Sequence, residues 1–245
     1  IDGTVGQGGH AKLILEKNGP SGKVLGIDAD AGQIQNAKAD GDERLILVND
    51  SYANVKEIVE RLQFGPVNGM LLDLGYSSWH MEDSLKGFSF QKDEALDMRY
   101  GGGELTAAKI VNEYSESEIE KILEEYGEEN FARKIAVGIV GRRKVKKIET
   151  TFDLVRVIEE TVPVKFQHGK IHCATKTFQA LRIAVNDELS SLEKVLPDAV
   201  EILAQGGRLA VISFHSLEDR IVKNFFKSEV EKGSVKILTK KPVVA

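Results

Sequence analysis

The amino-acid sequence predicts an α/β fold in which a parallel sheet is interrupted by an all-helical insertion, and three observations carry that prediction. Over the first hundred residues, short apolar runs alternate with stretches of helical periodicity, the pattern of repeated βαβ units. In the middle of the chain, apolar residues recur at helical spacing alone. Near the end a strand pattern followed by a helix returns, so one sheet is assembled from two parts of the chain.

Taken in order, residues 23–28 (KVLGID), 44–50 (RLILVND) and 67–74 (VNGMLLDL) read as buried strands, separated by helices near 10–18, 30–40 and 53–63. Ser115 and Glu118 form a capping box, after which Ile119, Ile122, Leu123 and Tyr126 follow at helical spacing. Phe131, Ile135, Ile139 and Val140 mark a second helix of the middle region, and Leu154, Val155 and Ile158 a third. Phe178, Leu181, Val185, Leu189, Leu192 and Leu196 predict one long amphipathic helix, kinked at Pro197 and stopped at Gly206-Gly207. Residues 207–214 then form a strand, 217–227 a helix and 235–239 a last strand. The expected domains are a core of residues 1–103 and 178–245 and a helical insertion of residues 104–177.

The 245 residues are 42% hydrophobic and 29% charged, a composition that excludes disordered and fibrous classes. No stretch approaches the roughly 18 uninterrupted apolar residues of a membrane span, and no basic segment leads into an apolar signal core. The chain reads as cytoplasmic. It starts at Ile1 without methionine, directly in a glycine-rich run, and reads as trimmed at this end. Cys173 is the single cysteine, so neither an intramolecular disulfide nor a cysteine zinc site can form. The net charge of −5 makes no global case for nucleic acid, and any such contact has to be local.

Asp2-Gly3-Thr4-Val5-Gly6-Gln7-Gly8-Gly9-His10 lies where a first strand hands over to its helix. Glycines there let the backbone approach a ligand and adopt positive φ, and the helix N-terminus offers unpaired amides. Asp28 ends the next strand, where a carboxylate accepts ribose hydroxyls. Together they predict an adenosine-containing ligand. Gly6-x-Gly8-x-x-Ala11 matches the dinucleotide fingerprint, which makes a NAD-dependent oxidoreductase one reading. The polar Asp2 and Thr4 before the loop, and a double glycine running into His10, suit the amino-acid end of S-adenosylmethionine better. Asp73-Leu74-Gly75-Tyr76-Ser77-Ser78 follows an apolar strand, so its polar groups emerge at the carboxyl end of the sheet beside the glycine loop. Asp73, Ser77 and Ser78 can supply acceptors that orient an exocyclic amine for methylation.

Gly6-Gln7-Gly8-Gly9-His10, Asp73-Leu74-Gly75-x-Ser77-Ser78, Gly87-Phe88-Ser89-Phe90, Leu96-Asp97-Met98-Arg99, Tyr126-Gly127-Glu128-Glu129, the stretch from Ala174-Thr175-Lys176-Thr177 to Arg182-Ile183, and Ser213-Phe214-His215-Ser216-Leu217-Glu218-Asp219-Arg220 occur in that order. Over essentially the whole chain this resembles the RsmH (MraW) family of S-adenosylmethionine-dependent cytosine N4-methyltransferases of 16S ribosomal RNA. The resemblance implies a Rossmann-like class I methyltransferase sheet with an inserted all-helical domain for substrate recognition. It implies methyl transfer to the N4 amine of a cytidine in the decoding region, within the small ribosomal subunit. It places cofactor contacts on Gly8, Gly9, His10, Asp28, Tyr52, Asp73 and His80. Tyr52 stands where phenylalanine is frequent in the family and His80 where glutamine is usual. A non-catalytic RNA-binding assembly factor that keeps the pocket is the reading outside enzymes.

The histidines at 10, 80, 168, 172 and 215 show no metal-ligand spacing, and no metal is expected. Trp79, the single tryptophan, can stack on a flipped cytosine or anchor its loop. His215 can contact substrate, or belong to a helix cap in which Ser216 is the capping residue. Arg99 can hold a phosphate or order its loop through a carboxylate. The concentrated basic run, Arg142, Arg143, Lys144, Lys146 and Lys147, is read as an RNA-backbone contact.

Overall fold

The computed structural model describes residues 1–37, 41–167, 169, 171–239 and 241–243. Its regular elements in chain order are α1 (Gly9–Lys17), β1 (Val24–Asp28), α2 (Ala31–Ala37), β2 (Leu45–Asn49), α3 (Val55–Leu62), β3 (Val67–Asp73), α4 (Ser78–Glu82) and α5 (Ala107–Glu113). These are followed by α6 (Glu116–Gly127), α7 (Ala132–Arg143), α8 (Thr151–Thr161), α9 (Thr175–Asn186), α10 (Glu188–Ile202), β4 (Leu203–Ile212) and α11 (Ser216–Glu231). Two compact units result, Ile1–Gly75 with Leu189–Ala245, and Tyr76–Glu188. Residues 104–177 fall within the second.

The first unit is mixed α/β with parallel strands. β1 pairs with β2, Val24 opposite Leu45 and Asp28 opposite Asn49, and β3 pairs with β4, Asp73 opposite Ile212. Parallel neighbours need crossover connections, which is why each strand is followed by a helix. The N-terminal residues touch both pairs, because Asp2 bridges Gly26 on one side and Leu71 on the other. Strands covered on both faces read as continuous apolar runs, and Leu25, Ile27, Met70 and Leu72 accordingly join Ile58, Leu192, Leu196 and Ala199 in one core. A smaller cluster of Val5, Ala11, Leu15, Val24 and Ile34 fixes α1 and α2. A Cβ on Gly26 would lie 2.8 Å from Val5 Cγ2 and 2.9 Å from Leu47 Cδ2, so only glycine lets β1 pack this closely.

The second unit is helical. Ile110, Ile119, Leu123, Ile135, Ile139, Leu154, Ile158 and Leu181 form its core, joined by Phe88, Leu96 and Met98 from the preceding loop. The capping box at Ser115 forms as the sequence predicts, the Ser115 amide donating to Glu118 Oε2 at 2.7 Å. Arg182 and Glu188, both buried, make two parallel hydrogen bonds of 2.9 Å, and Tyr100 Oη donates to Glu188 Oε1 at 3.1 Å.

Three expected elements differ. The long helix over 178–196 is broken into α9 and α10, because Asp187 adopts φ 48°. Apolar residues resume in phase across that one left-handed residue, so the spacing alone hides the break. The strand expected at 207–214 starts earlier, at Leu203, with Gly206 at φ 81° where the register against β3 shifts; α10 has already ended at Ile202, before the glycine pair. Residues 235–239 form no strand: Ile237 and Leu238 are exposed, and Ser234 Oγ turns the chain back onto the Glu229 carbonyl at 2.9 Å. The helix expected over 30–40 is described as far as Ala37; residues 38–40 and His168 lie outside the described residues.

Candidate active site

The glycine loop ends the N-terminal strand pairing, since the Val5 amide donates to the Ile27 carbonyl at 2.9 Å and the chain then turns through Gly6 at φ 52° and Gly8 at φ 87°. Gly8 is the N-cap of α1 and brings no side chain to the helix amides. Those first N–H groups, with the positive end of the helix dipole, are therefore open to a ligand anion. A Cβ on Gly9 would meet nothing within 4 Å, so the loop borders open space. Asp28 is tied to this loop: its Oδ2 accepts the Gly6 amide at 2.9 Å and its Oδ1 the Asp30 amide at 2.9 Å. Tyr52 opens a short 3-10 turn (Tyr52–Asn54) whose N-cap is Ser51.

Asp73 lies at the end of β3 and is held from behind, its amide donating to Thr4 Oγ1 at 2.8 Å. Its Oδ2 lies 3.6 Å from His10 Nδ1, while Oδ1 is buried and takes no hydrogen bond among the described residues. Burial raises its carboxyl above the usual range, opposed by nearby His10 and reinforced by Glu218. Asp2 is fully buried; burial pushes its carboxyl up to about 6, against the Thr4 amide and the charge of His10. Asp2, Thr4 and Glu218 were not among the site residues expected from sequence. Their signal was present in Asp2 and Thr4, polar residues at the end of a buried strand.

His215, in the same unit, is itself the N-cap of α11: its Nδ1 accepts the Glu218 amide at 3.4 Å and its Nε2 lies 3.3 Å from Glu218 Oε1. This corrects the expectation that Ser216 caps the helix. A buried carboxylate three residues on, which also accepts the Phe214 amide at 2.8 Å, fixes the imidazole in the capping position.

In the second unit Ser77 precedes α4, where it and His80 form a capping box: the Ser77 amide lies 3.2 Å and Ser77 Oγ 2.9 Å from His80 Nδ1. Histidine here takes the part of the usual Glu or Gln of such a box. Ser78 is exposed at the first helical position, and Trp79 sits edge-on to the His80 ring at 5.3 Å. The His80 ring is buried, 4.9 Å from Phe88 and 5.1 Å from Tyr100. Arg99 orders its loop: its guanidinium binds both oxygens of Asp97, at 2.7 and 2.6 Å, and donates to the Gly103 carbonyl. Burial alone would raise the Asp97 carboxyl, but the Arg99 hydrogen bonds hold it below the usual range. In the basic run, Arg143 donates to the Val111 carbonyl at 2.9 Å and Lys146 pairs with Asp153 at 3.1 Å. Arg142 and Lys147 have no such partner among the described residues.

A family model described as the MraW methylase family matches residues 1–245. The chain belongs to the MraW methylase family. A Ribosomal RNA small subunit methyltransferase H of Sulfurihydrogenibium azorense is 47% identical, covering 99% of this chain and 84% of the relative. That of Heliobacterium mobile is 44% identical, again over 99% and 84%, and that of Dehalococcoides mccartyi 49% identical over 94% and 66%. Membership in a methylase family decides between the two cofactor classes that the glycine loop left open, in favour of S-adenosylmethionine and against NAD. No described helix of this MraW methylase is long and apolar enough to cross a membrane.

Proposed function

We propose that this MraW methylase transfers a methyl group from S-adenosylmethionine to the N4 amine of a cytidine in the decoding region of 16S ribosomal RNA, within the small ribosomal subunit. The observation that carries the catalytic part is the buried Asp73 Oδ1, which lacks a hydrogen-bond donor among the described residues, on the unit that also presents the glycine loop and Asp28. The sheet is read as Rossmann-like, in the order β2, β1, N-terminal residues, β3, β4, because Asp2 bridges β1 and β3. The helical unit is read as containing the inserted domain for substrate recognition.

The residues fit this cofactor. The open space at Gly9 and the uncapped amides of α1 suit its carboxylate, and Asp28, a carboxylate at the end of β1, suits its ribose hydroxyls. His10 and Tyr52 complete the contacts of this unit in this reading. When bound, S-adenosylmethionine supplies a methyl group carried on a positively charged sulfur. The amine of cytosine is a poor nucleophile because its lone pair is delocalised, so orientation does much of the work. Asp73 accepts the amine hydrogens and holds the nitrogen in place. Its carboxyl, raised by burial, then takes the proton that the methylated nitrogen sheds. Trp79, Arg99 and His215 are assigned to the substrate side, Arg99 and His215 by shaping their loops, and the run from Arg142 to Lys147 to the RNA backbone.

The test is methyl transfer from labelled cofactor to purified small subunits. Asp73→Asn should lower turnover by about 10²–10⁴, with a much smaller change in calorimetric affinity for S-adenosylhomocysteine. Wild-type turnover in that variant would remove Asp73 from the chemistry.

A further inference from the structure

Residues 132–147, which comprise α7 and the turn after it, contain seven basic residues and no acidic one, in a chain whose net charge is −5. The 12 residues of α7 span about 18 Å at 1.5 Å per residue, and the run from Arg142 to Lys147 occupies only the C-terminal end. At the other end stands an aromatic pair that the sequence does not announce. Phe131 is the N-cap of α7, and the Phe166 ring lies 5.1 Å from it at an inclination of 54°. Both rings carry a cation: Lys134 Nζ lies 6.0 Å from the Phe131 centroid and Lys165 Nζ 4.8 Å from that of Phe166. Phe166 is 49% exposed, although a phenylalanine of this kind is normally covered. It is also held in place. Its amide donates to the Pro163 carbonyl at 2.8 Å, and the Gln167 side chain pins the turn by donating to the Glu159 and Val162 carbonyls at 2.6 and 2.7 Å.

We infer that an unpaired nucleotide of the RNA substrate stacks on Phe166, while its flanking phosphates lie along the basic residues of α7 and the turn after it, from Lys134 and Lys165 towards Lys147. This rests on the RNA-methylating function proposed above. A fixed, half-exposed ring flanked by flexible cations is the combination that binds single strands, because every base has a face to stack and every nucleotide brings a phosphate. The lysines that cover the rings are point charges on long stems, and on binding they exchange a ring for a phosphate oxygen. An apolar protein partner fits the same ring poorly, since Lys134 and Lys165, which have no carboxylate partner among the described residues, would be buried against it without counter-charge.

The experiment compares wild type, Phe166→Ala, Phe166→Trp and Lys134→Gln/Lys165→Gln for binding to small subunits, to a single-stranded oligoribonucleotide and to a duplex of the same sequence. Phe166→Ala should weaken single-strand and subunit binding roughly 5- to 150-fold, leave duplex binding unchanged and leave the salt dependence unchanged. Phe166→Trp should restore affinity. The double lysine variant should lower the slope of log affinity against log salt by about 1.4, two single-strand phosphate contacts. Affinity for S-adenosylhomocysteine and the melting temperature, measured on each variant, should stay at wild type. Undiminished single-strand binding by Phe166→Ala overturns the inference, as does a loss that tryptophan does not repair. If the wild type itself neither binds nor methylates small subunits, the proposed function fails, and that outcome is distinct.

Discussion

At the strand ends, the polar groups that shape the site are held by nearby backbone or by burial: Asp28 accepts the Gly6 and Asp30 amides, the Asp73 amide donates to Thr4 Oγ1, and Asp2 is fully excluded from solvent. On the face of α7 the arrangement is the reverse. Its lysines and arginines are largely exposed, its aromatic pair is assembled from either side of α8, and few of its groups have a fixed partner. Buried groups respond to proton concentration because desolvation moves their pKa, whereas exposed charges respond to salt because they are screened. The comparison therefore separates by variable: pH should act on the strand ends, and ionic strength on α7.

The largest separating effect is that of Asp2. Its carboxyl is raised from an ordinary 3.8 to about 6, so the folded protein holds the proton more tightly than the unfolded chain does. The stabilisation is complete below about pH 4 and is lost as pH rises through about 6. The difference amounts to about 3 kcal/mol. Asp2→Asn, which keeps an acceptor for the Thr4 amide, should gain about that much stability relative to wild type between pH 4 and pH 7. Urea midpoints for the two proteins across this range provide the check, and a constant difference would show that Asp2 is not strained by burial.

Asp28→Ala sharpens the same side of the comparison. Removing a charged acceptor of ribose hydroxyls should cost on the order of 1.5–3 kcal/mol in affinity for S-adenosylhomocysteine. Because Asp28 also binds the Gly6 amide, the loop loosens as well, and Asp28→Asn should recover part of the affinity. Unchanged calorimetric affinity in a folded Asp28→Ala protein would take the residue out of the site.

What the sequence made legible follows the same division. The glycine loop, Asp28 and Asp73 could be read because strand ends and their turns are short-range features, and β1, β2 and β3 fall within the ranges that apolar runs predicted. The break at Asp187 could not be read, since one left-handed residue does not disturb helical spacing. The capping role of His215 is not legible, because serine is the commoner cap and Ser216 stands beside it; the deciding group, buried Glu218, becomes recognisable only once α11 is formed. Phe131 and Phe166 each look like ordinary core residues in sequence, and only the packing of α7 with the 164–166 turn makes them a pair. Family membership supplied the chemistry that the glycine loop alone left divided between two cofactors.

The smallest effect tests the other side and discriminates within the basic run itself. Arg143 is tied to the Val111 carbonyl and Lys146 to Asp153, so each would have to leave an intramolecular partner to reach a phosphate. Arg142 and Lys147 would leave none among the described residues. Arg142→Gln/Lys147→Gln should therefore reduce the salt slope of small-subunit binding by about 1.4, two phosphate contacts at about 0.7 each, while Arg143→Gln/Lys146→Gln reduces it by less. Neither pair should alter cofactor affinity, nor the pH dependence that Asp2 imposes, because neither touches the strand ends. Equal reductions from the two pairs would mean that the intramolecular bonds of Arg143 and Lys146 give way on binding. Slopes equal to wild type in both would make the run a solvated face and leave the polyanion to Lys134, Lys165 and the aromatic end of α7.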